Sequence, residues 1–263
     1  MSFDHITFSI ETGIARLTLN RPETLNALSR PLLGEMMEAL DLVRDSHDVR
    51  VLVLRGEGRG FSSGADLSGG GSPAGSSGFD AGQVLEDFYN PLMERFFALP
   101  FPVIAAVHGP VVGAGCMIAL AADIVLAARS AYFLQAFVNI GLIPDAGSTW
   151  WLPRLIGPGR ALAMMMLGER VPAETAAGWG MINEAVEDAE LENRTSALAT
   201  RLAHGPTRAY GLIRQAVRQG LAQGFSQSLS LERAGQQAAG SSADFLEGVS
   251  AFREKRKPLF SGA

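Results

Sequence analysis

Two glycine-rich turns combine residue types that could stabilise a negative oxygen. They are Ser63-Gly64-Ala65-Asp66 and Gly113-Ala114-Gly115-Cys116, and each follows a predicted buried strand. The second turn leads into a predicted helix, where unpaired amide N–H groups and the positive end of the helix dipole favour an anion. Backbone amides at both turns would form an oxyanion hole. Glycines that only permit close packing would produce the same pattern.

Asp145 is a candidate for proton transfer. It stands directly after Pro144 and before a predicted helix, so an N-cap or first-turn acid is the simplest structural interpretation. Its neighbours in the sequence include many apolar side chains: Phe133, Phe137, Ile140, Ile143, Trp150 and Trp151. Burial among such side chains raises the proton affinity of a carboxylate toward the range useful for acid–base catalysis. A single carboxylate is sufficient for a 1,3-proton shift, which needs no water.

Other catalytic patterns fit this sequence poorly. The segment 60–64 matches the G-x-S-x-G elbow, and Asp145 and His204 follow in the order of a hydrolase triad. However, Ser62 does not stand directly between a strand and a helix, which disfavours a serine hydrolase. Both lysines lie within the last nine residues, which excludes a Walker A loop and disfavours a central Schiff base. The four scattered histidines and the single cysteine predict no metal site.

The composition limits both the class and the partners of the protein. The chain has 263 residues, of which 47% are hydrophobic and 19% charged, so it can bury one large core or two modest ones. A net charge of -5 argues against nucleic-acid binding by phosphate neutralisation. The single cysteine and an N-terminus unlike a signal peptide predict a cytoplasmic protein. Prolines and glycines interrupt the uncharged stretch 96–122, which predicts a buried strand, turn and helix rather than a membrane span.

Apolar strands alternate with amphipathic helices along most of the chain. The runs 3–10 and 14–19 predict a hairpin, and Ser29 is a candidate N-cap for the helix that follows. Further buried strands and helices are predicted at 51–54, 83–99, 103–107, after Gly115, and at 123–128. This alternation predicts an α/β domain with parallel strands.

Two segments depart from that alternation. Residues 68–82 are rich in glycine and serine, which predicts a mobile loop that could act as a lid over a site. From residue 204 onward the pattern shows helices without apolar strands. The sequence therefore predicts a core of residues 1–203 followed by a C-terminal helical assembly region of residues 204–263.

Four segments carry motifs in a recognisable order. They read NRPETLNAL at 20–28, FSSGADL at 61–67, AVHGPVVGAGCMIALAAD at 106–123 and GLIPDAGST at 141–149. Together they resemble the enoyl-CoA hydratase/isomerase, or crotonase, superfamily, and the resemblance covers essentially the whole chain, including 252–260. It implies an α/β fold built as a ClpP-like spiral of ββα units with a helical C-terminal portion. It also implies assembly as a homotrimer or a dimer of trimers.

The resemblance implies an acyl-CoA thioester as substrate and no separate cofactor, because coenzyme A is carried by the substrate. The thioester oxygen would accept hydrogen bonds from the amide N–H groups of Ala65 and Ala114. Other motif positions would hold coenzyme A or line the acyl pocket: Thr24, Asn26, Ala27, Leu28, Ser63, Gly64, Asp66, Leu67, Met117 and Phe137. Lys255 and Lys257 would reach the coenzyme A phosphates across a subunit boundary, although a solvated helix end explains them equally well.

Departures from the hydratase pattern bear on the reaction. Hydratases of this family use two glutamates, and this sequence has Met117 and Phe137 at those positions. Neither side chain can activate water or deliver a proton, so efficient hydration is not expected. Asp145 stands where the hydratase pattern has glycine. The sequence therefore predicts an acyl-CoA isomerase with Asp145 as its acid–base group, similar to the ring-1,2-epoxyphenylacetyl-CoA isomerases of phenylacetate breakdown and the Δ3,Δ2-enoyl-CoA isomerases of fatty-acid breakdown.

Three alternatives remain open from the sequence. The chain could be an enoyl-CoA hydratase of low activity, or an aryl-CoA hydrolase or dehalogenase with Asp145 as nucleophile. It could also be a non-catalytic binding protein on the same fold, some relatives of which bind RNA. The acidic balance and the scarcity of lysine argue against RNA binding. Neither the acyl group nor the choice between trimer and hexamer follows from the sequence.

Overall fold

A computed structural model describes residues 3–68 and 80–263, which form nine β-strands and ten α-helices. Apart from its ends, the predicted loop at 68–82 lies outside the described residues. The strands are β1 (Ile6–Glu11), β2 (Ile14–Leu19), β3 (Val51–Gly56), β4 (Val103–Val107), β5 (Pro110–Val112), β6 (Ile124–Ala128), β7 (Tyr132–Leu134), β8 (Val171–Pro172) and β9 (Glu184–Val186). The helices are α1 (Arg30–Asp45), α2 (Asn90–Ala98), α3 (Ala114–Leu120), α4 (Ser148–Ile156), α5 (Pro158–Leu167), α6 (Ala173–Gly178), α7 (Leu191–Ala203), α8 (Thr207–Gly220), α9 (Phe225–Gly240) and α10 (Ala243–Glu254).

Six strands form the larger sheet, in the order β1-β2-β3-β4-β6-β9. The hairpin of β1 and β2 is antiparallel, and every other neighbouring pair in this sheet is parallel. The central strand β4 is buried along its whole length. Such continuous apolar strands are typical of parallel sheets covered on both faces. The predicted hairpin and the predicted α/β domain with parallel strands are both confirmed.

A second, three-stranded sheet has the order β5-β7-β8. The chain visits the two sheets in turn, because β4 is followed by β5 and α3, and β6 is followed by β7 and α4. The segment after β3 also reaches the second sheet, but through a single residue, since Ser62 forms a parallel bridge with Val111 of β5. These repeats confirm the predicted spiral of ββα units. They also bring the chain segments that follow β3, β4 and β7 to the same end of the spiral.

Local signals in the sequence account for the first helices. The side chain of Ser29 accepts a hydrogen bond from the amide of Leu32 and caps α1, as predicted. The predicted helix at 83–99 is present, but a π-helical turn, Leu85–Tyr89, precedes α2. Pro91 follows that turn and has no amide hydrogen to donate, so the ordinary helical bonding pattern is broken there.

The uncharged stretch 96–122 ends α2 and then forms β4, β5 and α3. This confirms the predicted strand, turn and helix. Within residues 3–68 and 80–263, no helix has both the length and the apolar character that crossing a membrane requires. The division at residue 203 stays a prediction, although α7 ends at Ala203 and α8 begins at Thr207.

A cluster of three charges, of which the two arginines are buried, attaches α8 to the sheet. Arg214 donates to both carboxylate oxygens of Asp123, at 2.8 and 2.6 Å, and to the carbonyl oxygen of Leu99 at 2.6 Å. Arg218 donates to Asp123 at 3.1 Å and to the carbonyl oxygen of Phe96 at 3.0 Å. Burial lowers the pKa of both guanidinium groups, and Arg214 adds to the effect on Arg218. One carboxylate therefore neutralises two buried cations.

Asp123→Asn is expected to lower the free energy of unfolding by about 3 to 5 kcal/mol, because it leaves two buried guanidinium groups without a counter-charge. Urea unfolding at pH 7 would measure the change. Asp41→Asn is the matched control, since Asp41 pairs with Arg44 and Arg95 at the surface. That variant is expected to lose about 1 kcal/mol or less. Equal losses in the two variants would contradict the prediction.

Candidate active site

The two glycine-rich turns lie side by side. The amide of Ser62 donates to the carbonyl oxygen of Pro110, and the amide of Val112 donates to the carbonyl oxygen of Ser62, both at 3.0 Å. Beyond this bridge the backbones remain in contact, since a β-carbon added to Gly64 would lie 3.8 Å from Cα of Gly113. Both glycines have positive φ, +92° and +54°, a region that other residues rarely adopt. The predicted pair of turns is thus brought together by the spiral.

The amide N–H groups of Ala65 and Ala114 lie outside the backbone hydrogen bonds of the described residues. Leu28 exchanges backbone hydrogen bonds with Gly64 and Asp66, the residues on either side of Ala65, so the N–H of Ala65 points away from Leu28. Ala114 is the first residue of α3, where no earlier helical carbonyl is available. In the part of the chain that the structure describes, neither N–H has an acceptor. This arrangement is able to bind an oxyanion.

Asp145 lies on the loop that precedes α4. Its Oδ1 atom is buried and has no hydrogen-bond partner among the described residues. Burial raises the pKa of this carboxyl group to about 6. Gly147, not Asp145, is the N-cap of α4, and no side chain caps this helix. Asp145 is therefore neither the N-cap nor a first-turn residue of α4, and its carboxyl group is able to transfer a proton near neutral pH.

Phe137 connects the Asp145 loop with the oxyanion turns. A β-carbon added to Gly113 would lie 3.7 Å from the Phe137 ring, so the ring covers the start of α3. Phe137 also accepts a backbone hydrogen bond from Leu142 at 3.0 Å, which ties the loop to the 3-10 turn Ala136–Ile140. Met117, the other residue at a hydratase glutamate position, is buried in α3. Both positions therefore present apolar groups inside the protein.

Tyr89 is a residue of the site that sequence reasoning missed. It is the last residue of the π-helical turn and is almost fully buried. Burial raises the pKa of its hydroxyl group, and the negative charges of Asp145 and Asp66 raise it further. The phenol therefore stays protonated, and the charges of both carboxylates act on it. No motif or spacing in the sequence pointed to Tyr89, although π-helical turns often occur at functional sites.

The predicted ligand segment 24–28 divides into buried and accessible residues. Asn26, Ala27 and Leu28 are buried, and Thr24 is partly exposed. The Asn26 amide donates to the carbonyl oxygens of Glu57 and Gly60 and accepts from the backbone of Arg21. Its side chain is therefore committed to the loop architecture. Asn26 can shape a ligand site only through its backbone.

The predicted ligand segment 63–67 carries an ion pair. Arg21, which sequence reasoning did not select, donates to Asp66 at 2.9 Å. Hydrogen bonds from Ser68 and Arg21 lower the pKa of Asp66 to about 2. Ser63 donates to the carbonyl oxygen of Thr24 at 3.1 Å, which joins the two predicted ligand segments. Leu67 is 75% exposed and is free to contact a ligand.

Lys255 and Lys257 lie apart from these segments. Both are exposed, at and just beyond the end of α10. Within residues 3–68 and 80–263 neither lysine pairs with an acidic residue. Their role at coenzyme A phosphates stays a prediction. Nor does the described part of the chain contain three or more His, Cys, Asp or Glu side chains grouped to hold a metal ion.

The serine-hydrolase pattern does not form a triad. Ser62 is fully buried, donates to the carbonyl oxygen of Asn26 at 2.9 Å and accepts from the amide of Gly64 at 3.2 Å. His204 lies at the end of α7, where its ring is 2.8 Å from the carbonyl oxygen of Thr200. The Ser62 hydroxyl thus stabilises the 63–66 turn and does not act as a nucleophile.

A cleft of about 1060 Å³ opens between α2, α4 and α8. Gly147 and Trp150, which follow Asp145 in the sequence, line one side, and Met93 and Phe97 of α2 line another. The aromatic rings form a cluster, because Trp150 stacks on Trp151 and meets Phe97 edge to face. The cleft offers an apolar space beside the loop of Asp145.

Comparison with known proteins identifies the family. The family profile described as enoyl-CoA hydratase/isomerase matches residues 9–263. A Rhodobacter capsulatus protein named probable enoyl-CoA hydratase is 45% identical over 262 residues, covering 100% of both chains. An Escherichia coli protein named 1,2-epoxyphenylacetyl-CoA isomerase is 45% identical over 259 residues, covering 98% of this chain and 99% of its own. The crystal structure of an enoyl-CoA hydratase from Bacillus anthracis has a TM-score of 0.90 at 32% identity, covering 99% of this chain and 100% of that one. The chain therefore belongs to the enoyl-CoA hydratase/isomerase family.

Proposed function

We propose that the protein is an acyl-CoA isomerase that shifts a proton through a thioester enolate. The observation that carries the proposal is Asp145, whose buried Oδ1 has no partner among the described residues. A carboxyl group with a pKa of about 6 can both take and return a proton near neutral pH. Asp145 is joined through Phe137 to the turn that supplies the amide of Ala114.

The proposed reaction divides the work between Asp145 and the two amides. The thioester oxygen of a 3-enoyl-CoA accepts hydrogen bonds from the N–H groups of Ala65 and Ala114. Asp145 removes a proton from C2, and the electron pair of the broken C–H bond forms the enolate, whose charge these amides stabilise. The protonated Asp145 then delivers the proton to C4, which leaves the double bond between C2 and C3. No water or redox partner is consumed.

The apolar groups at the hydratase positions support isomerisation over hydration. Hydration needs a polar group to hold and activate water, and Met117 and Phe137 offer a thioether and a ring. The related proteins bear both hydratase and isomerase names, so the side chains at these two positions are the stronger argument. A nucleophilic role of Asp145 remains the competing use of the same carboxylate, and it would leave a trappable aspartyl ester.

We further propose that the active form is a homotrimer or a dimer of trimers. Large apolar side chains lie exposed on the C-terminal helices, including Ile213 and Val217 of α8 and Phe225 of α9. Exposed apolar side chains grouped on a few helices are typical of subunit contacts. Light scattering after gel filtration is expected to give three or six times the chain mass of 27.9 kDa. A monomer at micromolar concentration would contradict this proposal.

Asp145→Asn is expected to lower kcat/KM for isomerisation of a 3-enoyl-CoA about 10²- to 10⁴-fold, because the amide cannot accept the proton. Conjugation of the product is followed by absorbance, with hydration of a 2-enoyl-CoA measured on the same preparation. Calorimetry with a non-reacting acyl-CoA is expected to show nearly unchanged binding. Asp87→Asn, at an exposed acid of the π-helical turn, is the matched control and is expected to stay active. Full activity of Asp145→Asn would refute the mechanism.

Stability gives a test of Asp145 that needs no substrate. Its pKa is near 6 in the folded chain and near 3.8 in the unfolded chain, so ionisation opposes folding. This penalty is absent below about pH 4, grows between about pH 4 and 6, and is complete above. Asp145→Asn is therefore expected to raise the free energy of unfolding at pH 8 by up to about 3 kcal/mol and to leave it unchanged at pH 4. A gain that is equal at both pH values would contradict the assignment.

A further inference from the structure

Gln135 is a fully buried polar residue at the junction between β7 and the Asp145 loop. Its Nε2 atom donates to the sulfur of Met117 at 3.6 Å, and its Oε1 atom lies 3.3 Å from the hydroxyl of Ser148. A buried amide is costly unless its polar atoms find partners. Here one end of the amide contacts the helix that begins at Ala114, and the other end contacts the helix that follows Asp145.

Ser148 is also fully buried, and it holds the main chain of Asp145. Its one hydroxyl hydrogen is shared between the Asp145 carbonyl oxygen at 2.6 Å and Oε1 of Gln135 at 3.3 Å, and its amide donates to the Asp145 oxygen at 2.9 Å. Packing restrains the preceding loop weakly, since Leu142 is 45% and Ile143 82% exposed. Apart from the backbone bond from Leu142 to Phe137, the contacts that position the carboxylate come from the Ser148 side.

We propose that Gln135 and Ser148 are positioning residues, which fix the Asp145 carboxylate relative to the amide of Ala114. The path has three contacts, from Met117 to Gln135, from Gln135 to Ser148, and from Ser148 to the Asp145 carbonyl oxygen. Met117 and Ala114 are on the same short helix, so the path joins the oxyanion donor to the acid–base group. The thioether at a hydratase glutamate position thereby gains a role as hydrogen-bond acceptor.

The inference rests on the proposed function, because positioning matters when the proton moves between Asp145 and an enolate held at Ala114. Proton transfer is sensitive to small displacements, and a shift of about 1 Å can cost about 10²-fold in rate. Substrate affinity should change little, since neither side chain reaches the surface. A positioning role thus predicts a loss in kcat at nearly constant KM.

Ser148→Ala and Gln135→Met test the proposal on the full-length protein. Each is expected to lower kcat for 3-enoyl-CoA isomerisation about 10- to 100-fold with KM nearly unchanged. A carboxylate released from its buried position regains water, so the acidic limb of the kcat/KM profile should move below pH 6. The double variant is expected to lose no more than the worse single variant, because the two residues act through one path. Wild-type kcat in Ser148→Ala with an unshifted acidic limb would overturn the proposal.

Thr195→Val is the matched control for losing a buried hydroxyl. Thr195 is buried on α7 and donates to the carbonyl oxygen of Leu191 at 2.6 Å, the same distance that Ser148 uses. This control should leave kcat and the pH profile unchanged. A drop in kcat equal to that of Ser148→Ala would show a general packing effect and overturn the proposal.

Melting temperatures at pH 8 separate this proposal from the proposed function. If Asp145→Asn keeps isomerase activity, the proposed function fails, and positioning is then judged by stability alone. The gain in melting temperature from Asp145→Asn should shrink when Ser148→Ala is already present, because the released carboxylate is less buried. An unchanged gain would overturn the positioning role.

Discussion

The bridge between Ser62 and Val111 is the contact on which the site depends. It joins the segment after β3 to β5, so the two glycine turns diverge from one shared starting point. The buried hydroxyl of Ser62 reinforces it by bonding both Asn26 and Gly64. Because the strands before these segments are neighbours in one parallel sheet, the core that stabilises the fold also sets the spacing of the Ala65 and Ala114 amides.

At Asp145, burial destabilises a charged group instead of stabilising the fold. The sheet and its helices bury groups that are satisfied, including the guanidinium groups of Arg214 and Arg218, which pair with Asp123. The Oδ1 atom of Asp145 is buried without a partner in the described structure, which costs stability and raises the proton affinity of the carboxylate. Unsatisfied buried groups are rare in folded proteins and concentrate where chemistry occurs. The loss of stability at Asp145 is consistent with a catalytic role.

Much of the fold could be predicted from local patterns. The apolar runs at β3, β4 and β6 and the Ser29 cap identify their elements. The family resemblance implies that the turns of Ala65 and Ala114 act together. Contacts between distant residues could not be predicted, because no local pattern specifies them. Asp123 and Arg214 are 91 residues apart in sequence, and Tyr89, whose pKa the charge of Asp145 raises, lies on a separate helical turn. Likewise, Asn26 belongs to a motif that the sequence shows, but only the structure shows that its side-chain amide donates to the carbonyl oxygens of Glu57 and Gly60.

The apolar groups at Met117 and Phe137 have a stereochemical consequence. In the proposed reaction a single carboxylate serves both carbons, and no second polar group is available at the hydratase positions. The proton would then leave and return on the same face of the acyl chain, which makes the shift suprafacial. A carboxylate screened from water would also return much of the original hydrogen to the same molecule, so isotope from the solvent would enter the product only in part.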